Sequence, residues 1–224
     1  MNNSNLPSGS VVLEEIQSPI NGRLQIVQSF EWGNYVLSGG LTQSGGVVVS
    51  VWKHTLNRIK KENFCVSNCL ILGLGGGSAA GLVKKMWPES KVTGIEIDPL
   101  MVDLGIRYLG LRTNDVEIEI TDALDYCAKK TKEGKRFDLI LVDIYVQDEV
   151  PEKFEDEHFV RTLTNLLEEG GTVVFNRLYF DEKRGNAVRF GKILEKVFPG
   201  VKASYPEANV MFICNGIKKI QILR

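Results

Sequence analysis

A strand-like apolar run that opens directly into a glycine-rich loop constrains this chain more than any other feature. The segment CLILGLGGGSAAG, residues 69–81, places Gly73, Gly75 and Gly77 just after the apolar run. Glycine has no Cβ, so such a loop turns sharply and lets a ligand approach its backbone. The helix that follows presents its N-terminal amides to the same ligand, with Ser78 as its predicted cap. The segment therefore predicts a nucleotide-binding strand–loop–helix unit.

After residue 51 the chain alternates apolar runs with amphipathic segments. The predicted strands are CLILGLG, KVTGIEI, VEIEITD, FDLILVDIY and TVVFNRL, and helices separate them. One of these helices, EDEHFVRTLTNLLEEGG, is expected to end at its glycines. The segments VKASYP and NVMFICNG are expected to form a closing antiparallel hairpin. This alternation predicts an α/β fold with a mostly parallel, Rossmann-like sheet and a nucleotide-binding domain over residues 52–224.

The first 51 residues have a different pattern. Residues 1–10 are polar and are predicted to form a disordered start. Residues 11–51 are β-like, with turn signals at the dipeptides 33–34, 39–40 and 45–46. The β-branched run GGVVVSVW is predicted as a strand. We therefore expect a small antiparallel module of two to four strands, which is too short to be stable alone.

The composition argues against several classes of protein. Lys and Arg number 27 and Asp and Glu number 28, with no basic block, so we expect no nucleic-acid partner. The N-terminus lacks the layout of a signal peptide, and no apolar run reaches the roughly 18 residues of a membrane span. We expect no membrane partner and a cytoplasmic location. The four cysteines are expected to be reduced, and the spacing of Cys65 and Cys69 predicts no metal site.

Carboxylates follow the next two predicted strands. Glu96 ends the second strand about twenty residues beyond the loop, where a carboxylate accepts hydrogen bonds from ribose hydroxyls. Asp122, followed by Ala123, ends the third strand, where an adenine amino group would donate to it. The spacing Gly75-x-Gly77-x-x-Ala also fits a dinucleotide fingerprint, so it does not by itself name the nucleotide. Asp122, and the lack of room for a separate substrate domain, argue against NAD.

From about residue 12 to residue 215 the chain resembles the spermidine synthase family, a branch of the class I methyltransferase-like fold. The segments LGLGGGSAAG, GIEIDP and TDALDY are similar to the family's glycine-rich loop, ribose acid and adenine-side acid, and FDLILVDIYVQDEVP is similar to its catalytic segment. The resemblance implies S-adenosylmethionine or its decarboxylated form as the cofactor and an acceptor that is a small molecule, such as an amine. It also implies a homodimer formed through the N-terminal hairpins.

Departures from the family pattern bear on the reaction. Where aminopropyl-transferring members carry an Asp that holds the propylamine, this chain has Ser78. A hydroxyl does not offset an ammonium charge as a carboxylate does, so the loop suits S-adenosylmethionine itself. Asp143 matches the family's proton-accepting Asp, whereas Val146 replaces a second Asp three residues later. Asp148 and Tyr145 are candidates for binding the acceptor.

Three functions remain open from the sequence. The departures favour methyl transfer from S-adenosylmethionine to a small acceptor, because that chemistry needs little beyond alignment of the nucleophile. Asp143 and the overall layout favour an aminopropyltransferase of polyamine biosynthesis. A non-catalytic nucleotide-binding homologue is the third hypothesis. Trp32, Asn176 and Arg177 are further candidates for lining the cleft.

Overall fold

The computed structural model describes residues 9–62 and 64–216. Residues 1–8 of the predicted disordered start lie outside the described residues. The described chain forms two sheets and six α-helices. The helices are α1 Gly46–Lys61, α2 Ser78–Met86, α3 Pro99–Tyr108, α4 Ala123–Lys132, α5 Glu157–Asn165 and α6 Lys183–Val197, with a 3₁₀ turn at Glu152–Phe154.

The first sheet is antiparallel and has the order β1-β2-β3-β4. Its strands are β1 Val11–Ser18, β2 Gly22–Ser29, β3 Gly33–Ser38 and β4 Leu41–Gly45. One face of this sheet buries Leu24, Ile26 and Val36 against Met101 and Leu104 of α3. This packing holds the first sheet beside the glycine-rich loop that follows β5. The turn between β1 and β2 lines the cavity described below.

The second sheet has seven strands in the order β10-β11-β9-β8-β5-β6-β7. Its strands are β5 Asn68–Leu72, β6 Lys91–Glu96, β7 Val116–Ile120, β8 Phe137–Val142, β9 Leu167–Leu178, β10 Gly200–Ser204 and β11 Asn209–Asn215. Strands β5 to β9 pair in parallel, and β10 and β11 add an antiparallel hairpin. The predicted fold class, an α/β Rossmann-like sheet with a closing hairpin and an N-terminal antiparallel sheet, is confirmed.

Helices cover both faces of the seven-stranded sheet, and each face has its own core. On one face α4, α5 and α6 bury aromatic side chains such as Phe159, Phe175 and Phe190. On the other face α1 and α2 bury Trp52 and Val83 against the sheet. Because β5 and β8 are covered on both sides, their sequences are continuous apolar runs. Within the described residues no helix is both long and apolar enough to cross a membrane.

The predicted strand in GGVVVSVW is wrong, because helix α1 already begins at Gly46. Gly45 has a φ of 77°, which ends β4 and turns the chain into the helix. Val51, Trp52 and Leu56 recur at helical spacing and are all buried. Burial of that stripe against the second sheet outweighs the β-propensity of the valines, since such propensities are weak and depend on context.

The predicted end of helix α5 at the glycines is also wrong. The helix ends at Asn165, and the glycines of LEEGG lie within β9. The pairing of β8 with β9 shifts its register between Phe137 and Leu139, so this part of β9 is irregular. Gly170 there has a φ of 72°, a conformation that glycine adopts without strain. The glycines therefore serve a bulge in a strand rather than a helix cap.

Candidate active site

A cavity of about 350 Å³ lies at the carboxyl ends of the parallel strands. Open α/β sheets bind their ligands at this edge. The wall includes the glycine-rich loop, the ends of β6, β8 and β9, the buried face of α1, strand β4 and the loop before β11. The first sheet therefore closes one side of a cleft that the second sheet forms.

The glycine-rich loop turns as the sequence predicts. Gly73, Gly75 and Gly77 all have positive φ, at 84°, 55° and 87°. A Cβ at Gly73 would collide with the backbone carbonyl of Asp143, so only glycine fits beside the strand end of β8. Gly77, rather than the predicted Ser78, is the N-cap of α2, and it makes no side-chain cap hydrogen bond. The prediction of Ser78 as a cap is wrong, because its hydroxyl bonds to β4 instead.

Glu96 lies at the end of β6 and is bound to the glycine-rich loop. Its Oε2 accepts a hydrogen bond from Gly75 N at 2.7 Å. Its Oε1 accepts from Ile97 N at 2.9 Å and from Asp98 N at 3.0 Å. Burial raises the pKa of this carboxyl, and the three backbone donors oppose that rise. A carboxylate offers about four acceptor positions, and the three backbone donors occupy three of them. The remaining position is on Oε2, where it is available to a ligand hydroxyl because Glu96 lines the cavity.

Asp143 lies just beyond β8 and is held by two neutral donors. Trp52 Nε1 donates to Oδ2 at 2.7 Å, and Asn176 Nδ2 donates to Oδ1 at 2.8 Å. Asn209 Nδ2 in turn donates to Asn176 Oδ1 at 2.7 Å, which turns the Asn176 amide so that its NH₂ group faces Asp143. Burial raises the pKa of Asp143, while the hydrogen bonds from Trp52 and Asn176, and the charge of Arg177, lower it.

Asp122 and Ala123 lie at the other end of the cleft. The carboxylate of Asp122 caps α4 by accepting from Leu124 N at 2.8 Å, and it forms an ion pair with Lys153 at 2.5 Å. Lys153 and Ala123 line the cavity, whereas Asp122 is not one of its lining residues. The hydrogen bonds from Lys153 and Leu124 help to hold the pKa of Asp122 below its usual value, although burial opposes them. The adenine amino group that was expected to donate to Asp122 would therefore have to reach a carboxylate that lies outside the cavity lining and already pairs with Lys153.

The predicted acceptor-side residues occupy different places. Tyr145 lines the cavity, and its hydroxyl accepts from Leu178 N at 2.9 Å and donates to Asn176 O at 3.3 Å. Asp148 is not a lining residue, and it forms an ion pair with Lys183 at 2.8 Å. Trp32 lies in a separate groove on the far side of the glycine-rich loop. The structure thus places Tyr145 in the same cavity as Asp143, and Asp148 outside the cavity lining.

The cavity also contains residues that sequence reasoning passed over. Trp52 and Asn209 support Asp143 directly or through Asn176. Ser44 of β4 contacts the glycine-rich loop. A tryptophan in the apolar stripe of a helix is indistinguishable from a core residue by pattern alone, and Ser44 and Asn209 come from opposite ends of the chain. Arg177, predicted near the cleft, is buried behind it and donates to the backbone oxygens of Asn176 and Phe154.

The described residues contain no group of three or more His, Cys, Asp or Glu side chains placed to hold a metal ion. The four cysteines, all within the described part of the chain, are free thiols, and three of them are buried. The carboxylates of Glu96, Asp122 and Asp143 are bound by backbone amides, the Trp52 indole, the Asn176 amide and Lys153.

The parallel sheet, the loop of left-handed glycines and the acid at the end of β6 define a nucleotide-binding protein with a Rossmann-like, methyltransferase-type fold. The chain belongs to the spermine/spermidine synthase family, because a sequence profile described as the Spermine/spermidine synthase domain matches residues 39–213. The predicted family is thereby confirmed.

Curated relatives of two kinds match the chain. The eEF1A lysine and N-terminal methyltransferase of Mus musculus is 28% identical over 145 residues, which is 61% of this chain and 20% of that protein. The polyamine aminopropyltransferase of Vibrio vulnificus (strain CMCP6) is 29% identical over 136 residues, which is 58% of this chain and 46% of that protein. The chain thus matches less than half the length of either relative.

Solved structures share the fold. Spermidine synthase from Thermotoga maritima superposes with a TM-score of 0.74 at 21% identity, covering 94% of this chain and 75% of that one. Human methyltransferase-like protein 13 in complex with SAH superposes with a TM-score of 0.60 at 23% identity, covering 80% of this chain and 83% of that one. At these identities the likeness concerns the fold.

Proposed function

We propose that this protein is an S-adenosylmethionine-dependent transferase that methylates a small acceptor bearing an amine. The observation that carries the proposal is the placement of two carboxylates in one cavity: Glu96 at the end of β6, bonded to the glycine-rich loop, and Asp143 just beyond β8. Glu96 has an acceptor position open for a ribose hydroxyl. Asp143 is available for the nitrogen of the acceptor.

In this reaction each group has one task. When bound, the cofactor supplies a methyl group: the N–C bond forms, the C–S bond breaks, and the electron pair stays on sulfur. Asp143 takes the proton that the acceptor nitrogen must lose, because burial raises its pKa and makes it a better base than an exposed Asp. Trp52 and Asn176 keep both oxygens of Asp143 in place, so the base does not reorient during the reaction.

Two neutral positions in the cavity wall favour an acceptor with few cations. The charged lining residues are Glu96, Asp143, Lys153 and Glu207. A polyamine carries two or more ammonium groups, and each requires a carboxylate or an aromatic face. Val146 lines the cavity where the family pattern has a second Asp, and Ser78 stands where aminopropyl-transferring members have one. These neutral positions support methyl transfer over aminopropyl transfer.

A second candidate is aminopropyl transfer from decarboxylated S-adenosylmethionine to a polyamine precursor. Asp143 supports it, because it matches the family's proton acceptor. The Vibrio relative, a polyamine aminopropyltransferase, is about as similar to the chain as the mouse methyltransferase is.

The experiment that distinguishes the two functions supplies decarboxylated S-adenosylmethionine with putrescine, and methyl-labelled S-adenosylmethionine with a panel of primary amines. An aminopropyl product without any methylated product would replace the proposal with this alternative, and no product in either assay would favour a non-catalytic homologue.

Substitution of Asp143 tests the proposed function directly. Asp143→Asn should lower methyl transfer about 100-fold or more, because loss of general base catalysis costs roughly that factor. The affinity for S-adenosylmethionine, measured by calorimetry, should change little. The matched control is Asp125→Asn on the exposed face of α4. Unchanged turnover of Asp143→Asn would remove Asp143 from the mechanism.

A homodimer and a cytoplasmic location are further parts of the proposal. Strand β1 is an edge of the first sheet, and its Val11 and Leu13 are exposed. Unpaired edge strands offer a template for another chain. Light scattering at micromolar protein concentration tests the dimer, and a monomer there would reject it.

A further inference from the structure

The first sheet reaches the glycine-rich loop through a pair of serine hydroxyls. Ser44 Oγ of β4 and Ser78 Oγ of α2 lie 2.9 Å apart, and both residues line the cavity. We propose that this pair recognises the carboxylate of the cofactor's amino-acid tail, so that β4 contributes to the preference for S-adenosylmethionine over its decarboxylated form. This inference rests on the proposed function.

Backbone donors already occupy one acceptor position on each hydroxyl. Gly45 N donates to Ser78 Oγ at 2.7 Å, and Gly76 N donates to Ser44 Oγ at 3.1 Å. Each hydroxyl has one hydrogen and two lone pairs. The bond between the two serines uses one hydrogen and one lone pair. The pair is therefore left with one free O–H group and one free lone pair.

The free O–H group is well suited to an anion. One serine accepts the hydrogen bond from the other, and it also accepts a hydrogen bond from a backbone N–H group. These two accepted bonds polarise the O–H group of that serine. A charge-assisted hydrogen bond to a carboxylate is about twice as strong as a neutral one. Ser78 is also the first residue of α2, a nine-residue helix whose N-terminal dipole favours negative charge. An ammonium ion finds no carboxylate at this pair.

A bulge in β4 places Ser44 in this position. The pairing of β3 with β4 shifts its register between Val36 and Leu37, which pair with Ser44 and Thr42, so that Gln43 is the extra residue. Bulges of this kind redirect side chains beside active sites. Gln43 Nε2 donates to Gln147 O at 2.9 Å, while Ser44 faces the loop. Two successive residues of β4 thus contact two different walls of the cleft.

The test compares three probes by calorimetry: S-adenosylmethionine, its decarboxylated form, and 5′-methylthioadenosine, which has no amino-acid tail. The variants are Ser44→Ala, Ser78→Ala and Ser78→Asp, and the matched control is Ser67→Ala, an exposed serine at the opposite end of β5. Circular dichroism and thermal unfolding check that each variant is folded. Two independent alanine variants keep the test valid if one of them perturbs the loop.

The alanine variant that removes the serine with the free O–H group should weaken S-adenosylmethionine binding about tenfold or more, since a hydrogen bond to a charged group is removed. The other alanine variant should weaken it less, because it removes only the hydroxyl that polarises that O–H group. Binding of 5′-methylthioadenosine should stay within about twofold, because the nucleoside contacts are unchanged. Ser78→Asp should reverse the preference toward the decarboxylated form. An equal loss of affinity for S-adenosylmethionine and for 5′-methylthioadenosine, or no loss of affinity for either compound, would overturn the role of the pair. Failure of the wild-type protein to bind any probe would overturn the proposed function and this inference with it.

Discussion

The indole of Trp52 donates a 2.7 Å hydrogen bond to Oδ2 of Asp143, and this bond joins helix α1 to the end of strand β8. Trp52 is fully buried. The bond therefore supplies Asp143 with a neutral donor in a place where water has little access. It also makes α1 part of the candidate active site rather than a connector between the two sheets.

Replacing Trp52 with Phe should destabilise the protein by about 1–3 kcal/mol, because a buried carboxylate loses a partner. Burial raises the pKa of Asp143 in the folded protein above its ordinary value of 3.8. Protonated Asp143 therefore contributes fully to the stability of the protein below pH 3.8, and this contribution is lost as the pH rises through the folded-state pKa. Loss of the indole donor raises that pKa further. The destabilisation measured by urea unfolding should therefore be larger at about pH 8 than at about pH 4.

Trp87→Phe is the matched control for this prediction. The indole of Trp87 donates to the neutral backbone oxygen of Phe64 at 3.0 Å, so its removal should cost stability without this dependence on pH. An equal loss of stability at both pH values in Trp52→Phe would show that only ring volume matters at Trp52.

Asn209 should control the protonation of Asp143 although it does not touch it. Asn209→Leu removes the donor that fixes the Asn176 amide, so Oδ1 of Asp143 loses its reliable partner. The pKa of Asp143 should therefore rise. The pH dependence of Trp52 fluorescence measures this rise, in a protein in which Trp32 and Trp87 are replaced with Phe.

Two further variants complete that experiment. Asp143→Asn should abolish the fluorescence transition, which assigns it to Asp143. Asn186→Leu, at a half-buried position of α6 where the side chain bonds to Arg189, should leave the transition in place. A transition that is unmoved in Asn209→Leu would exclude the relay through Asn176.

Glu96→Gln should weaken S-adenosylmethionine binding about tenfold or more, because a charged acceptor becomes a neutral one. Burial raises the pKa of Glu96, and protonation removes an acceptor, so wild-type affinity should fall as the pH decreases through that pKa. The affinity of Glu96→Gln should depend less on pH over the same range. Calorimetry at several pH values measures both effects, with Glu117→Gln on the exposed face of β7 as the control. A wild-type affinity that is constant with pH would argue against a contact with Glu96.

Lys183 should hold the segment between β8 and the 3₁₀ turn in place. Its buried ammonium pairs with Asp148 at 2.8 Å and with Glu149 at 2.5 Å. Lys183→Met should speed hydrogen exchange at Val146 and Glu149, whose amides bond to each other's carbonyls, by up to about fivefold. Lys202→Met, which breaks the exposed pair with Glu62, is the control. Unchanged exchange in Lys183→Met would mean that backbone hydrogen bonds alone hold the segment.

The parallel sheet was predictable because burial on both faces leaves a strong signal. The run FDLILVDIY and the glycine-rich loop have no competing interpretation as helix or surface loop. The run GGVVVSVW was different, since its valines favour a strand locally and only the packing of Trp52 and Leu56 on the second sheet makes it helical. Local propensity and tertiary burial conflict there, and burial prevails.

The candidate site was predictable only in part, for a related reason. Glu96 and Asp143 follow strands, so the topology alone brings them to one edge of the sheet. The contacts of Ser44 and Asn209 depend on a bulge in β4 and on the hairpin of β10 and β11, which join residues far apart in the sequence. No pattern within one segment indicates such a pairing.

The proposed reaction requires S-adenosylmethionine as the donor. Calorimetric titration of the wild-type protein with S-adenosylmethionine and, in parallel, with its decarboxylated form tests that claim most directly. We expect saturable binding of both compounds, with at least about tenfold preference for the intact cofactor, since a charge-assisted hydrogen bond to its carboxylate is gained. A preference for the decarboxylated form, or no binding of either, would contradict the proposed reaction.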